Sequence, residues 1–148
     1  MKKTRTETWI NMIALNKEKI SIEKEQDVVF FRQRLKEHAV KIGMSVLNQT
    51  KLITAASELV RNMLKYGGGG EITIEVVNEK MQVGVRVIFA DKGPGIPDIS
   101  KAMQDGYSTG KSLGLGLPGA KRLVNEFDIK STVGVGTTVS IVRWKNGF

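Results

Sequence analysis

The chain has 148 residues, 41% hydrophobic and 26% charged, which suits one soluble domain with its own hydrophobic core. It has no apolar run long enough to span a bilayer, Met1-Lys2-Lys3-Thr4-Arg5 is not followed by the apolar stretch of a secretory signal, and the absence of cysteine excludes disulfides and thiolate metal sites; a cytoplasmic location is expected. The net charge of +8, from 23 basic and 15 acidic residues, points to an anionic partner, but the basic residues are scattered among few aromatics, which favours a solvated basic surface over a nucleic-acid face.

Residues 1–16 carry no clear pattern and read as an N-terminal extension, either an arm or an extra strand; residues 17–148 read as a single domain. Lys19–Glu23 alternates and is expected as a strand. Asp27 is placed to cap a helix bearing Val28, Phe31, Leu35, Ala39 and Ile42, ended by Gly43. His38, the only histidine, is expected to be an ordinary surface or boundary residue of that helix. Ser45 is placed to cap a second helix that runs to about Tyr66 and stops at Gly67-Gly68-Gly69-Gly70. Residues 71–77 and 82–90 are two strands with a short turn between them, expected as an antiparallel hairpin.

The stretch 91–117 is rich in glycine and proline, and only residues 99–104 look helical. A loop this long inside a compact domain is usually functional. Pro118 suits the first turn of a helix through about Phe127. Residues 129–133 and 137–144 are the last strands, joined by Gly134-Val135-Gly136. This order is not a βαβ alternation. It predicts an α+β fold, a two-layer sandwich with a mostly antiparallel sheet and about three helices on one face.

Two phosphate motifs are imitated here and fail on context. Gly114-Leu115-Gly116-Leu117-Pro118-Gly119 is a literal G-x-G-x-x-G, but no strand precedes it as the dinucleotide fingerprint requires. Gly106…Gly110-Lys111-Ser112 lacks one residue of the P-loop spacing, which changes the backbone N–H groups that point at a phosphate. What remains is a glycine-rich loop running into a helix N-terminus, a setting that favours an anion.

On a wheel of about 3.6 residues per turn, Leu52, Ile53, Ala56, Leu59, Val60, Met63 and Leu64 form one apolar arc of the second helix. Glu58, Asn62 and Lys65 fall together on the opposite side. An amide oxygen is a hard Mg²⁺ ligand, a lysine meets phosphate charge and a glutamate accepts a proton. The same three residues would also fit the solvated face of any amphipathic helix. Asp91 carries a similar pair of readings: a turn former before Gly93-Pro94-Gly95, or an acceptor for the adenine amino group.

Taken together, Glu58-x-x-x-Asn62, Asp91-x-Gly93-x-Gly95, Gly114-x-Gly116 and Gly136-Thr137 resemble, in order, the four boxes of the GHKL ATPase/kinase superfamily, over roughly residues 17–145. Within it, Ser57-Glu58-Leu59-Val60-Arg61-Asn62, Asp91–Asp98 and Gly114–Leu123 look like the anti-sigma-factor serine/threonine kinases, and among these the stressosome switch kinases of the RsbT type.

The resemblance implies the Bergerat fold, with a mixed, mostly antiparallel sheet, and ATP with Mg²⁺ bound under a lid at about Ala102–Leu117. It implies Glu58 as general base, Asn62 as the Mg²⁺ ligand and Lys65 near phosphate. It further implies Asp91, with Gly93 and Gly95, as the reader of adenine, helped by Thr137, and backbone N–H groups of Gly114, Leu115, Gly116 and Leu117 on the phosphates. The implied reaction is phosphorylation of a Ser or Thr on a STAS-domain anti-sigma antagonist, with a phosphatase regulator or a sigma factor as a further partner. The alternative is an anti-sigma factor that acts mainly as an ATP-gated module sequestering a sigma factor.

Overall fold

The computed structural model describes residues 12–104 and 116–147. A single five-stranded sheet is built from β1 (Ile13–Ile22), β2 (Gly70–Glu79), β3 (Gln82–Asp91), β4 (Glu126–Thr132) and β5 (Gly136–Trp144), in the spatial order β1-β2-β3-β5-β4. The expectation was a mostly antiparallel sheet; all four neighbouring pairs are antiparallel. The helices are α1 (Glu25–Lys41), α2 (Val46–Gly67), α3 (Ile99–Ala102) and α4 (Gly116–Arg122).

β1 begins at Ile13, so residues 13–16, left open between arm and strand, are strand; a bulge between Ala14 and Asn16 interrupts the pairing with β2. Asp27 does act at the start of α1, but from its third residue. Its carboxylate reaches back to accept the N–H groups of Glu23 at 2.8 Å and Lys24 at 3.1 Å, and Lys24 is the capping position. This is the glutamate-like half of a capping box, which pattern reading mistakes for the cap itself. Ser45 caps α2 as expected, its hydroxyl accepting Asn48 N–H at 3.2 Å, and α2 closes on Gly68 in the left-handed region at φ 74°.

The main core lies between the sheet and α1 and α2. Ile20, Ile72, Val87, Phe89 and Ile141 face Phe31, Leu35, Leu52, Ala56 and Val60, all buried. Phe31 meets Phe89 edge-on, ring centroids 5.8 Å apart. Burying each large side chain contributes about 1.5–3 kcal/mol, enough in sum to fix which face of each strand looks inward. A second, smaller cluster of Met12, Val77, Val142 and Trp144 is buried separately. Gly84 makes room for it: a Cβ there would lie 2.7 Å from the Trp144 ring.

Two further expectations need correction. His38 is buried, 8% exposed, and its Nε2 lies 2.8 Å from Glu18 Oε1 on β1. Arg34 Nε donates to both oxygens of the same carboxylate at 3.0 Å. Those bonds, with His38 adding to them, hold the Glu18 carboxyl below its ordinary value against the effect of burial. This cluster ties α1 to the edge strand. The other correction is the end of α4, which stops at Arg122 rather than near Phe127. Asn125 is captured by β5: its N–H donates to Val142 O at 2.9 Å and its Oδ1 accepts Trp144 N–H at 2.8 Å. The chain therefore enters β4 at Glu126, and Phe127 joins the core as a strand residue.

Arg143, 1% exposed, explains how α4 is held. Its Nη1 donates to Leu123 O just beyond the helix at 3.0 Å and its Nη2 to Asn48 Oδ1 in the first turn of α2 at 2.7 Å. Burial lowers its pKa, and these neutral acceptors take the place of water at the two terminal nitrogens, while Nε is buried with no partner among the described residues.

Candidate active site

Four segments meet at one end of the sheet: the C-terminal half of α2, the end of β3, the start of α4 and the start of β5. The strand-borne end of the site can be built from Asp91 upward. As the last residue of β3, its carboxylate Oδ1 accepts Gly93 N–H at 2.8 Å and Thr137 N–H at 3.2 Å. Asp91 is thus more than a turn former: it joins β3 to β5. Its Oδ2 accepts no hydrogen bond from the described residues.

Small residues let this carboxylate sit where it does. A Cβ on Gly67 would lie 2.6 Å from Asp91 Cγ, and one on Gly93 would lie 2.6 Å from Gly67 Cα. The sequence marked Gly67 only as a helix stop; in the structure it is part of the site. Gly95 adopts φ 80°, and a Cβ there would meet Thr132 O at 2.5 Å, so this loop is pressed on the β4–β5 hairpin. Gly134 N–H donates to Pro94 O at 2.9 Å across the same contact.

Thr137, 9% exposed, stands opposite Ser131 on β4. The two hydroxyl oxygens are 2.7 Å apart, and Ser131 Oγ also accepts Ile96 N–H at 2.7 Å. Ser131 was not singled out from the sequence. Its signal is its register: it pairs with the threonine of the Gly-Thr element, which becomes visible only once β4 is placed.

The other end of the site is helical. Glu58 is 6% exposed, so the reading of it as a solvated residue fails. The helical wheel sees one apolar arc, but α4 covers the opposite side as well. Glu58 Oε1 accepts Gly116 N–H at 3.0 Å, and Oε2 lies 3.3 Å from Arg61 Nη1. That N–H of Gly116, expected on a phosphate, is here committed to the carboxylate. Leu117 is half-buried against the core, while Gly114 and Leu115 lie outside the described residues, as does the lid except for its two ends.

Asn62, one turn after Glu58, is half-buried and its side chain makes no hydrogen bond to a described residue. Lys65 is exposed, its Nζ 5.2 Å from the Tyr66 ring centroid, and does not share the covered position of Glu58. Among the described residues no three His, Cys, Asp or Glu side chains form a metal cluster. A single open amide oxygen suits a small hard cation that takes most of its oxygens from phosphates and water, so the donor set fits Mg²⁺ carried by a nucleotide. Among the described residues no helix is long and apolar enough to cross a membrane.

Residues 47–146 match the model of the family described as histidine kinase-, DNA gyrase B-, and HSP90-like ATPase. The chain is 44% identical over 125 residues to the serine/threonine-protein kinase RsbT of Bacillus subtilis, covering 84% of this chain and 94% of that protein. It is 30% identical over 142 residues to an anti-sigma F factor of Thermoanaerobacter, covering 92% of this chain and 95% of the relative. In fold it is similar to a crystal structure of the RsbU and RsbW domains of a Mycobacterium tuberculosis protein. There the TM-score is 0.60 at 21% identity, over 86% of this chain and 32% of that one. The match over residues 47–146 spans all the segments that form the site, and the chain belongs to the histidine kinase-, DNA gyrase B- and HSP90-like ATPase family.

Proposed function

We propose that this chain is an ATP-dependent protein serine/threonine kinase of a partner-switching pathway, acting in the cytoplasm through the single domain read over residues 17–148. Its substrate is a serine or threonine hydroxyl of a STAS-domain protein. One observation carries the reading: a buried carboxylate, Glu58, and an open amide, Asn62, lie one turn apart on α2, the helix whose last residue, Gly67, packs directly on the Asp91 carboxylate. The 44% identity to RsbT supports the same activity.

Asp91 Oδ2 accepts the amino group of adenine, while Gly93 and Thr137 hold Oδ1 and so fix the carboxylate's direction. Asn62 Oδ1 would hold Mg²⁺, which would supply neutralisation of the phosphate charge. Glu58 Oε1 is tied to Gly116, which leaves Oε2, beside the exposed Arg61, to accept the proton of the substrate hydroxyl. The hydroxyl oxygen bonds to the γ-phosphorus, the bond to the β–γ bridging oxygen breaks, and ADP leaves. Positioning and charge neutralisation account for most of such a rate.

The anti-sigma F factors among the relatives favour a second reading, in which ATP gates the capture of a sigma factor. Incubation with ATP, Mg²⁺ and a cognate STAS-domain protein separates the two. Phosphoserine or phosphothreonine on the STAS protein supports the kinase. No transfer, together with nucleotide-dependent capture of a sigma factor, supports the module. The further partner is a phosphatase regulator in the first case and a sigma factor in the second.

A further inference from the structure

The Glu58 carboxylate is covered from two sides. Gly116 N–H meets Oε1 at 3.0 Å, and Arg61 Nη1 meets Oε2 at 3.3 Å. The two covers differ in kind. The first is backbone, at the start of α4. The second is the tip of a long side chain that is 58% exposed. Its 3.3 Å contact is longer than a charge-assisted hydrogen bond prefers, and an ion pair with so exposed a partner is weak. No described residue other than Glu58 forms an ion pair with Arg61.

The wheel sets Arg61 apart from the proposed metal ligand. Seen from Glu58, Asn62 lies about 40° to one side and Arg61 about 60° to the other. Asn62 is half-buried, whereas Arg61 shares its side of the helix with Thr54 and Lys65, both exposed. Gly116 closes Oε1, so an acceptor hydroxyl must reach Oε2 from this open side. On α2 it meets two cations, Arg61 and Lys65, and no carboxylate except Glu58 itself. A guanidinium fork matches a carboxylate through two bonds, which outcompetes the single long contact to Oε2.

We propose that Arg61 is a specificity-determining residue for the protein acceptor: it binds an acidic side chain next to the acceptor serine or threonine, and in turning to it uncovers Glu58 Oε2 for the hydroxyl proton. Without such an acceptor the guanidinium stays on Glu58 and keeps water from using the base. One side chain thus couples docking to the release of the base. This rests on the reading of Glu58 as the general base.

The test measures two reactions on the full chain: transfer from ATP to a cognate STAS-domain protein, and ATP hydrolysis without it. Arg61→Ala should raise hydrolysis about two- to fivefold, the worth of an exposed ion pair no longer held on Glu58. It should lower kcat/KM for the acceptor about 10- to 100-fold, chiefly through KM, the range of a charged hydrogen bond. Arg61→Lys, which keeps the charge, should fall between the two. Changing the acidic residue beside the acceptor hydroxyl to its amide should raise KM for wild type and add nothing to Arg61→Ala. If hydrolysis and transfer fall together in Arg61→Ala, the guanidinium serves the γ-phosphate and the inference is overturned. It is overturned too if the acceptor KM does not change, or if the amide costs Arg61→Ala as much as wild type. The underlying reading fails separately if Glu58→Ala transfers phosphate as wild type does.

Discussion

The two ends of the proposed ATP site are built differently. The purine end is set into strands. Asp91 is gripped by two N–H groups, Gly67 and Gly93 leave the room in which its carboxylate sits, and Ser131 ties the loop to the hairpin. The phosphate end is made of helices. Its covered carboxylate, Glu58, is met by one N–H at the first residue of the seven-residue α4, whose far end Arg143 anchors. On the proposed reading, a base held by several bonds and, among the described residues, a phosphate end joined by one backbone bond between α2 and α4 suit an enzyme that keeps the nucleotide in place while the protein acceptor docks.

The largest effect that would sharpen this contrast is at Glu58. Glu58→Ala should lower phosphotransfer by about 10²- to 10⁴-fold, the usual worth of a positioned acid–base group, while calorimetry still detects ATP binding. Parallel losses of transfer and binding would mean that the two ends are not separable.

Asp91→Asn comes next. The amide oxygen should turn toward Gly93 and Thr137 N–H, which leaves its NH₂ facing the adenine amino group. Donor then meets donor. ATP should bind about 10- to 100-fold more weakly, the range expected for a charged hydrogen bond, and the thermal midpoint should hardly move. An unchanged affinity would break the assignment.

Gly67→Ala tests the packing behind that carboxylate. Alanine favours a helix by about 1 kcal/mol over glycine, so the fold should survive. The new Cβ would sit 2.6 Å from Asp91 Cγ and must push it. ATP affinity should fall about tenfold, as overpacking of about 1–3 kcal/mol would give. Normal binding would show that the purine end is softer than its geometry.

How much of this was legible beforehand depends on range. α2, its Ser45 cap and the β2–β3 hairpin follow from local pattern, and so does the alternation that builds the sheet. Glu58 and Asp91 could be picked out because they sit in spaced motifs. What escaped depends on contacts between distant segments. Gly67 matters because Asp91 lies against it, and Ser131 because it stands across from Thr137. His38 is buried only because Glu18 is on the neighbouring strand. Arg143 looks like a surface residue near the end of a strand until Leu123 and Asn48 are placed around it.

The smallest effect lies away from the site. Glu18 has a folded pKa below its ordinary value of 4.5, held down first by Arg34. Its contribution to stability should be complete above that value and lost as pH falls through the lower folded one. Glu18→Gln should lower the thermal midpoint at neutral pH, and the gap to wild type should narrow as pH drops below about 4.5. ATP affinity, read at neutral pH, should be unaffected. A gap that stays constant down to about pH 3 would show that the Glu18–Arg34 pairing adds no linked stability.

The most direct measurement is a structure of the chain with a non-hydrolysable ATP analogue and Mg²⁺. The account expects the adenine amino group within hydrogen-bond reach of Asp91 Oδ2, Thr137 beside the base and the ion on Asn62. Glu58 Oε2 should open toward the γ-phosphate. A base bound elsewhere, or an ion held without Asn62, would contradict it.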